Sequence, residues 1–192
     1  MSISGVVLAG GKGRRMGGVD KGLVAFLGKP LIEHVVQRLR PQVDEIFINA
    51  NRELAQYGNL GYPVIEDDIS GFAGPLAGLH KALQVSEHAY VLTVPCDSPF
   101  LPHNLVERLM NGLVERDADL AVAKTGQQAH PVFCLCRKAL LPNLEAYLQS
   151  GGRKFETWYS TLEVAEVLFN DNAKAFANVN TPEELLWLEQ AA

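Results

Sequence analysis

The sequence predicts an α/β fold, a three-layer sandwich built on a mostly parallel sheet. Short continuous Val/Ile/Leu runs alternate with longer stretches of helical period, the mark of parallel strands joined by crossover helices. The runs are apolar throughout, as strands covered on both faces are. At 192 residues the chain fits one domain on the usual scale of roughly 100 to 200 residues. No stretch reads as a linker, repeat or low-complexity tail, so residues 1–192 are expected to form one unit.

Strands are expected over residues 5–9, 45–50, 62–66, 90–94, 120–123 and 132–136. After the first, Leu31, Ile32, Val35, Val36 and Leu39 line one helical stripe, introduced by Pro30 and stopped by Pro41. Leu76, Leu79, Ala82 and Leu83 do the same for a helix opened by Gly74 and Pro75. Leu105, Leu109 and Leu113 recur at four-residue spacing within a helix over 104–115, and further helices are expected over 139–148 and 155–162. The last helix is the most fully signalled. Thr181 can cap it, Pro182 suits its first position, and Glu184 completes a capping box before Leu185, Leu186 and Leu188.

Lys and Arg number 17 against 22 Asp and Glu, a net charge of -5, with 20% charged and 47% hydrophobic residues. That balance belongs to an ordinary globule and counts against nucleic acid, which is bound largely by clustered cations. An anionic ligand would have to be met by positive charge gathered locally. Cys96, Cys134 and Cys136 cannot all pair, which argues against a disulfide framework and for a reducing, cytoplasmic setting. The apolar run ending at Ala9 lacks the basic flank of a secretion signal, and no apolar stretch is long enough for a membrane span.

The local gathering of charge occurs directly after the first strand. Gly10, Gly11, Gly13, Gly17 and Gly18 share one turn with Lys12, Arg14, Arg15 and Lys21. Glycines let backbone N–H groups approach an anion, and the cations add charge-assisted hydrogen bonds. Two familiar phosphate loops are excluded. A dinucleotide fingerprint needs Gly where Met16 stands, and a P-loop needs Gly-Lys-Ser/Thr, whereas Gly18 precedes Val19 and Lys21 precedes Gly22.

Other candidates lie where strands end, the edge at which open α/β sheets bind ligands. Asp97 follows the strand 90–94, and on local sequence it fits either a magnesium ligand or a turn cap before Pro99. Asp67 ends the strand 62–66 and reads as a ligand contact or as an ordinary loop carboxylate. Asn49, late in its strand, can bond a nucleotide or neighbouring backbone. Gly78 leaves room either for a flat ring or for close helix packing. Asn178 and Asn180 flank Val179, so both amides face one side of an extended segment, to meet a ligand or to cap a loop. His130, Arg153 and Lys154 read as surface groups, and Cys134 and Cys136 as buried thiols. No Ser/His/Asp or Cys/His constellation for nucleophilic catalysis stands out.

Three segments together carry a family resemblance: Leu8-Ala9-Gly10-Gly11 through Gly17-Gly18-Val19-Asp20-Lys21-Gly22, Pro95-Cys96-Asp97, and Asn178-Val179-Asn180-Thr181-Pro182-Glu183-Glu184-Leu185. In this order they resemble molybdenum cofactor guanylyltransferases, over essentially the whole chain. The resemblance implies a Rossmann-like nucleotidyltransferase fold that transfers GMP from GTP to the terminal phosphate of molybdopterin and releases pyrophosphate. It implies a nucleotide site at Leu8, Ala9, Gly10, Lys21, Asn49, Asp67 and Asp97, to which the reading of the residues themselves adds Gly11 and Gly78. Asp97 would hold Mg²⁺, or Mn²⁺ in its place. Arg15, Lys21 and Asp97 would be catalytic, and Asn178 and Asn180 would meet the pterin acceptor. Implied partners are GTP, molybdopterin and cofactor-synthesis or delivery proteins. The alternative is a sibling transferase using CTP or another triphosphate on a different phosphate acceptor.

Overall fold

Val6 and Val7 are both completely buried, yet they point into different cores. That follows from the two-residue period of a strand, β1 (Ile3–Leu8), with packed helices on each side. A computed structural model describes residues 1–9, 19–68, 74–179 and 181–190. Within it, β1 pairs in parallel with β4 (Glu45–Asn49) and β6 (Tyr90–Pro95), inside a seven-stranded sheet of order β5-β4-β1-β6-β8-β7-β9.

β5 (Val64–Ile65) lies parallel to β4, and β9 (Val164–Leu168) parallel to β7 (Leu120–Thr125). β8 (Gln128–Arg137) runs antiparallel to both β6 and β7. Its reversal has a local cause: Thr125 pairs with Gln128 across a two-residue turn whose first residue, Gly126, takes φ 53°, the left-handed conformation such hairpins require.

α1 (Leu31–Leu39) buries Leu31, Ile32, Val35, Val36 and Leu39, the stripe the sequence predicts. Ile32, Val35, Val36 and Leu39 share one core with Val7, Ile48 and Leu92. α3 (Pro75–Val85) packs on the opposite face with Val6, Cys134 and Cys136. The helices must separate in this way. The crossover β1–α1–β4 moves one way along the sheet and β5–α3–β6 the other, so right-handed connections place them on opposite faces. α4 (Leu105–Glu115) adds Leu105, Leu109 and Leu113 to the first core; α5 (Leu141–Gln149) and α6 (Phe155–Tyr159) add Leu144, Leu148, Phe155 and Trp158 to the second. The three-layer, mostly parallel sandwich expected from sequence is therefore the fold.

Several short elements differ from expectation. β5 is shorter than the run over 62–66, because it sits at the sheet edge and pairs with β4 alone. β8 begins at Gln128, ahead of the apolar run over 132–136, because pairing with β7 extends it. The helix expected over 155–162 ends at Tyr159. β2 (Ala25–Phe26), β3 (Lys29–Pro30), α2 (Leu54–Gly58) and β9 carry too few buried residues for periodicity to reveal them.

The C-terminal segment closes back on the start of the chain. In α7 (Pro182–Gln190) the backbone N–H of Glu184 donates to Thr181 Oγ1 at 3.2 Å, the expected cap. Leu188 packs with Phe26, Leu31 and Val179 in a third cluster. Among the described residues, no helix is long and apolar enough to cross a membrane.

Candidate active site

The ends of β1, β4 and β6 lie side by side, with Leu8 in register with both Asn49 and Pro95. Ala9 N–H donates to the Asn49 carbonyl at 2.8 Å, and Cys96 N–H donates to the Leu8 carbonyl at 3.1 Å. The chain beyond β6 is thus tied to the strand from which the glycine-rich turn departs. Two residues past β6, Asp97 is 7% exposed. Its Oδ2 accepts from Lys21 Nζ at 3.1 Å. Burial pushes the Asp97 carboxyl above the usual 3.8, while the Lys21 charge and hydrogen bond pull it back.

A buried carboxylate facing a cation is a place for a further cation that arrives with its own anionic ligands. Among the described residues no three His, Cys, Asp or Glu side chains gather into a metal cage. Mg²⁺ does not need one, since it commonly binds one or two carboxylates together with substrate phosphates. The donor set fits a Mg²⁺ that enters with a nucleotide.

Lys21 belongs to a tight turn, Lys21–Leu23, capped by Asp20. Asp20 Oδ1 accepts from Gly22 N–H at 3.3 Å and from the hydroxyl of Tyr57, a fully buried side chain of α2. Burial raises the Asp20 carboxyl, with the Tyr57 and Gly22 hydrogen bonds acting against it.

On the other side of β1, Asn49 is almost fully buried. Its amide donates to the Ile65 carbonyl at 3.3 Å and to Asp67 Oδ1 at 2.9 Å. Asn51 donates to Asp67 Oδ2 at 2.8 Å and accepts from Asp67 N–H at 2.9 Å. Two amides thus fix the Asp67 carboxylate as an acceptor at the rim. Gly78, in α3, stands directly behind: a Cβ there would lie 2.4 Å from Asn49 Oδ1 and 2.6 Å from Leu8 Cδ2. The space over Gly78 is occupied by these side chains.

Ser98, completely buried, donates to Asn178 Oδ1 at 2.7 Å, and Val179 N–H donates to the Asp97 carbonyl at 3.0 Å. These bonds bring Asn178 beside Asp97. The structure therefore gathers Leu8, Ala9, Lys21, Asn49, Asp67, Gly78, Asp97 and Asn178 at one sheet edge. Gly10, Gly11, Arg15 and Asn180 lie outside the described residues.

Asn51, Tyr57 and Ser98 carry no sequence signal of a role at this edge, and Asp20 stands out in the sequence only as part of a motif. Asp20 alone had a local signal, as a capping residue type directly before Lys21. His130 stacks on Phe176 at 5.0 Å and bonds Thr125, and burial lowers its pKa. Arg153 donates to the Leu148 carbonyl at the end of α5. All three cysteines are buried thiols, and burial pushes the Cys96 thiol well up, favouring its neutral form. A cleft of about 990 Å³ beside α1 involves Lys29, Glu33, Arg40 and Asp44. It opens near the start of β4, away from this edge.

A family model described as MobA-like NTP transferase domain matches residues 5–164. A molybdenum cofactor guanylyltransferase from Shewanella putrefaciens is 50% identical over 184 residues, covering 96% of this chain and 94% of the relative. Among solved structures, molybdopterin-guanine dinucleotide biosynthesis protein A from Archaeoglobus fulgidus superposes with a TM-score of 0.80 at 26% identity, covering 98% of this chain and 97% of that one. A 4-diphosphocytidyl-2C-methyl-D-erythritol synthase from Anaerococcus prevotii has a TM-score of 0.77 at 13% identity, covering 99% and 95%, and shares the fold alone.

Proposed function

The chain belongs to the MobA-like NTP transferases and, within them, to the molybdenum cofactor guanylyltransferases, and from that premise we propose that it transfers GMP from GTP to the terminal phosphate of molybdopterin. An oxygen of that phosphate attacks the α-phosphorus of GTP. The new O–P bond forms as the bond to the bridging oxygen breaks, and pyrophosphate leaves with the electron pair. The products are the guanine dinucleotide form of the cofactor and pyrophosphate. The attacking group is already an anion, so positioning and charge neutralisation carry most of the catalysis.

The observation that carries this reading is the Lys21–Asp97 pair, whose carboxylate lies just beyond the end of β6 beside β1. Lys21 offsets charge at the reacting phosphate, and Asp97 would hold the divalent ion. Mg²⁺ held there would supply neutralisation of phosphate charge. Asp67, held by Asn49 and Asn51, accepts hydrogen bonds from the nucleoside. Arg15 with the Gly10 and Gly11 amides is assigned to the departing pyrophosphate on sequence grounds. Asn178 and Asn180 are assigned to the pterin edge, whose donors and acceptors alternate. The three free thiols suit a reducing cytoplasm, where cofactor-delivery proteins would collect the product.

The test is pyrophosphate release from GTP, CTP, ATP and UTP, with and without molybdopterin. Release is expected with GTP and acceptor together; equal release with CTP would assign the chain to a sibling activity. Asp97→Ala and Lys21→Ala should each lower turnover about 10² to 10³-fold. Near-parental turnover in either variant would remove that residue from its role.

A further inference from the structure

Lys21 reaches Asp97 from a turn that is gripped from below. The grip consists of an acid that is almost fully buried, Asp20, and a tyrosine that is entirely so, Tyr57. An ionisable carboxyl taken out of water is costly unless it is hydrogen-bonded, and its partners here are the Gly22 N–H and the Tyr57 hydroxyl. The first belongs to the residue after Lys21 and the second is brought in by α2, while the Lys21 side chain leaves in the direction of Asp97.

The packing around Gly22 shows how little play the turn has. A Cβ at Gly22 would stand 2.7 Å from the Tyr57 hydroxyl oxygen and 3.3 Å from both Cys96 Cβ and Cys96 Sγ. Tyr57 and Cys96 therefore press on the backbone of the residue after Lys21. Cys96 is also the residue before Asp97. The packing at Gly22 thus involves the residue that leads directly into Asp97. Tyr57 is delivered to this place by α2, which is entered through Glu53 at φ 52°, a left-handed conformation that non-glycine residues seldom adopt.

We propose that Asp20 and Tyr57 form a buried clamp that positions Lys21 against Asp97, making Tyr57 a positioning residue for the transfer although it lies beneath the site. The clamp rests on the reading of Lys21 as the group that offsets charge at the reacting phosphate. It fixes the turn by a hydrogen bond on one side and by close packing on the other. A tyrosine serving only the core would need its ring; the clamp also needs its hydroxyl.

A double-mutant cycle separates these roles. Tyr57→Phe keeps the ring and removes the hydroxyl. Turnover of GTP with molybdopterin is expected to fall about tenfold while KM for GTP stays within about twofold. On a Lys21→Ala background, whose residual turnover is followed with α-labelled GTP, the same substitution is expected to change turnover less than about twofold. Parental turnover in Tyr57→Phe, or an equal loss on both backgrounds, would overturn the clamp. Full turnover in Lys21→Ala alone would instead overturn the underlying role of Lys21. Should Tyr57→Phe fail to fold, Asp20→Ala takes its place in the cycle under the same criteria, removing the acceptor in place of the donor.

Discussion

A methyl group at position 78 would have nowhere to go, because Asn49 Oδ1 and Leu8 Cδ2 already fill the space. Gly78→Ala must therefore push the Asn49 amide away and loosen its bond to Asp67. Overpacking of this kind costs roughly 1 to 3 kcal/mol. The expected result is a melting temperature several degrees lower and a KM for GTP raised about tenfold, read by thermal melts and steady-state kinetics. A second residue-scale prediction concerns Asp20, whose carboxyl burial raises above the usual 3.8. The folded chain takes up that proton first. The stability this group contributes is therefore complete below the unfolded pKa, about 3.9, and is lost as pH rises through the raised folded value. Asp20→Asn carries no charge to bury, so melting temperatures measured from about pH 4 to pH 7 should shift progressively in the variant's favour relative to the parent. A pH-independent difference would mean that the Asp20 charge is not buried at a cost. At this scale the positions of Asn49, Asp67 and Asp97 were legible, because strand ends show in the hydrophobic pattern. Their bonds were not. Asn49 meets Asp67 only through the pairing of β4 with β5, and Asp20 meets Tyr57 through a short helix that no periodicity announces.

Among the elements, α7 is the one whose start the sequence described most completely, and its cap is correspondingly testable. Thr181→Ala removes the acceptor for the Glu184 N–H, at a typical cost of about 1 kcal/mol. For a chain of this size that corresponds to a fall in melting temperature of roughly 2 to 4 °C, and Thr181→Ser, which restores the acceptor, should recover most of it. The loss matters beyond the helix, because the segment leading into α7 is bonded to the site through Val179 and Asn178. Helices such as α1 were legible because five apolar residues recur on one face between two prolines. β9 was not, since a strand at the sheet edge exposes alternate residues and carries a mixed pattern. β8's antiparallel direction is decided by the two-residue turn at Gly126, a feature that apolar content alone does not reveal.

Across the whole molecule, the order of strands explains why Lys21 and Asp97 meet where they do. From β1 the chain first builds outward through β4 to β5, then returns through α3 to place β6 on the other side of β1. The direction of winding switches between β1 and β6, and a crevice opens at the carboxyl ends of the strands at such a switch point. Lys21 follows β1, Asp97 follows β6, and their ion pair spans that crevice. A nucleotide with its metal would therefore bridge two parts of the chain that are remote in sequence, and binding should appear as global stabilisation. At a ligand concentration of 100 times Kd the gain is about 2.7 kcal/mol, which corresponds here to a rise in melting temperature of roughly 5 to 10 °C. We expect that rise with GTP and Mg²⁺ together and a much smaller one with GTP alone. In Asp97→Ala the two conditions should give the same shift, because the carboxylate proposed to hold the ion is gone. A Mg²⁺-dependent rise that survives in Asp97→Ala would place the metal on other ligands.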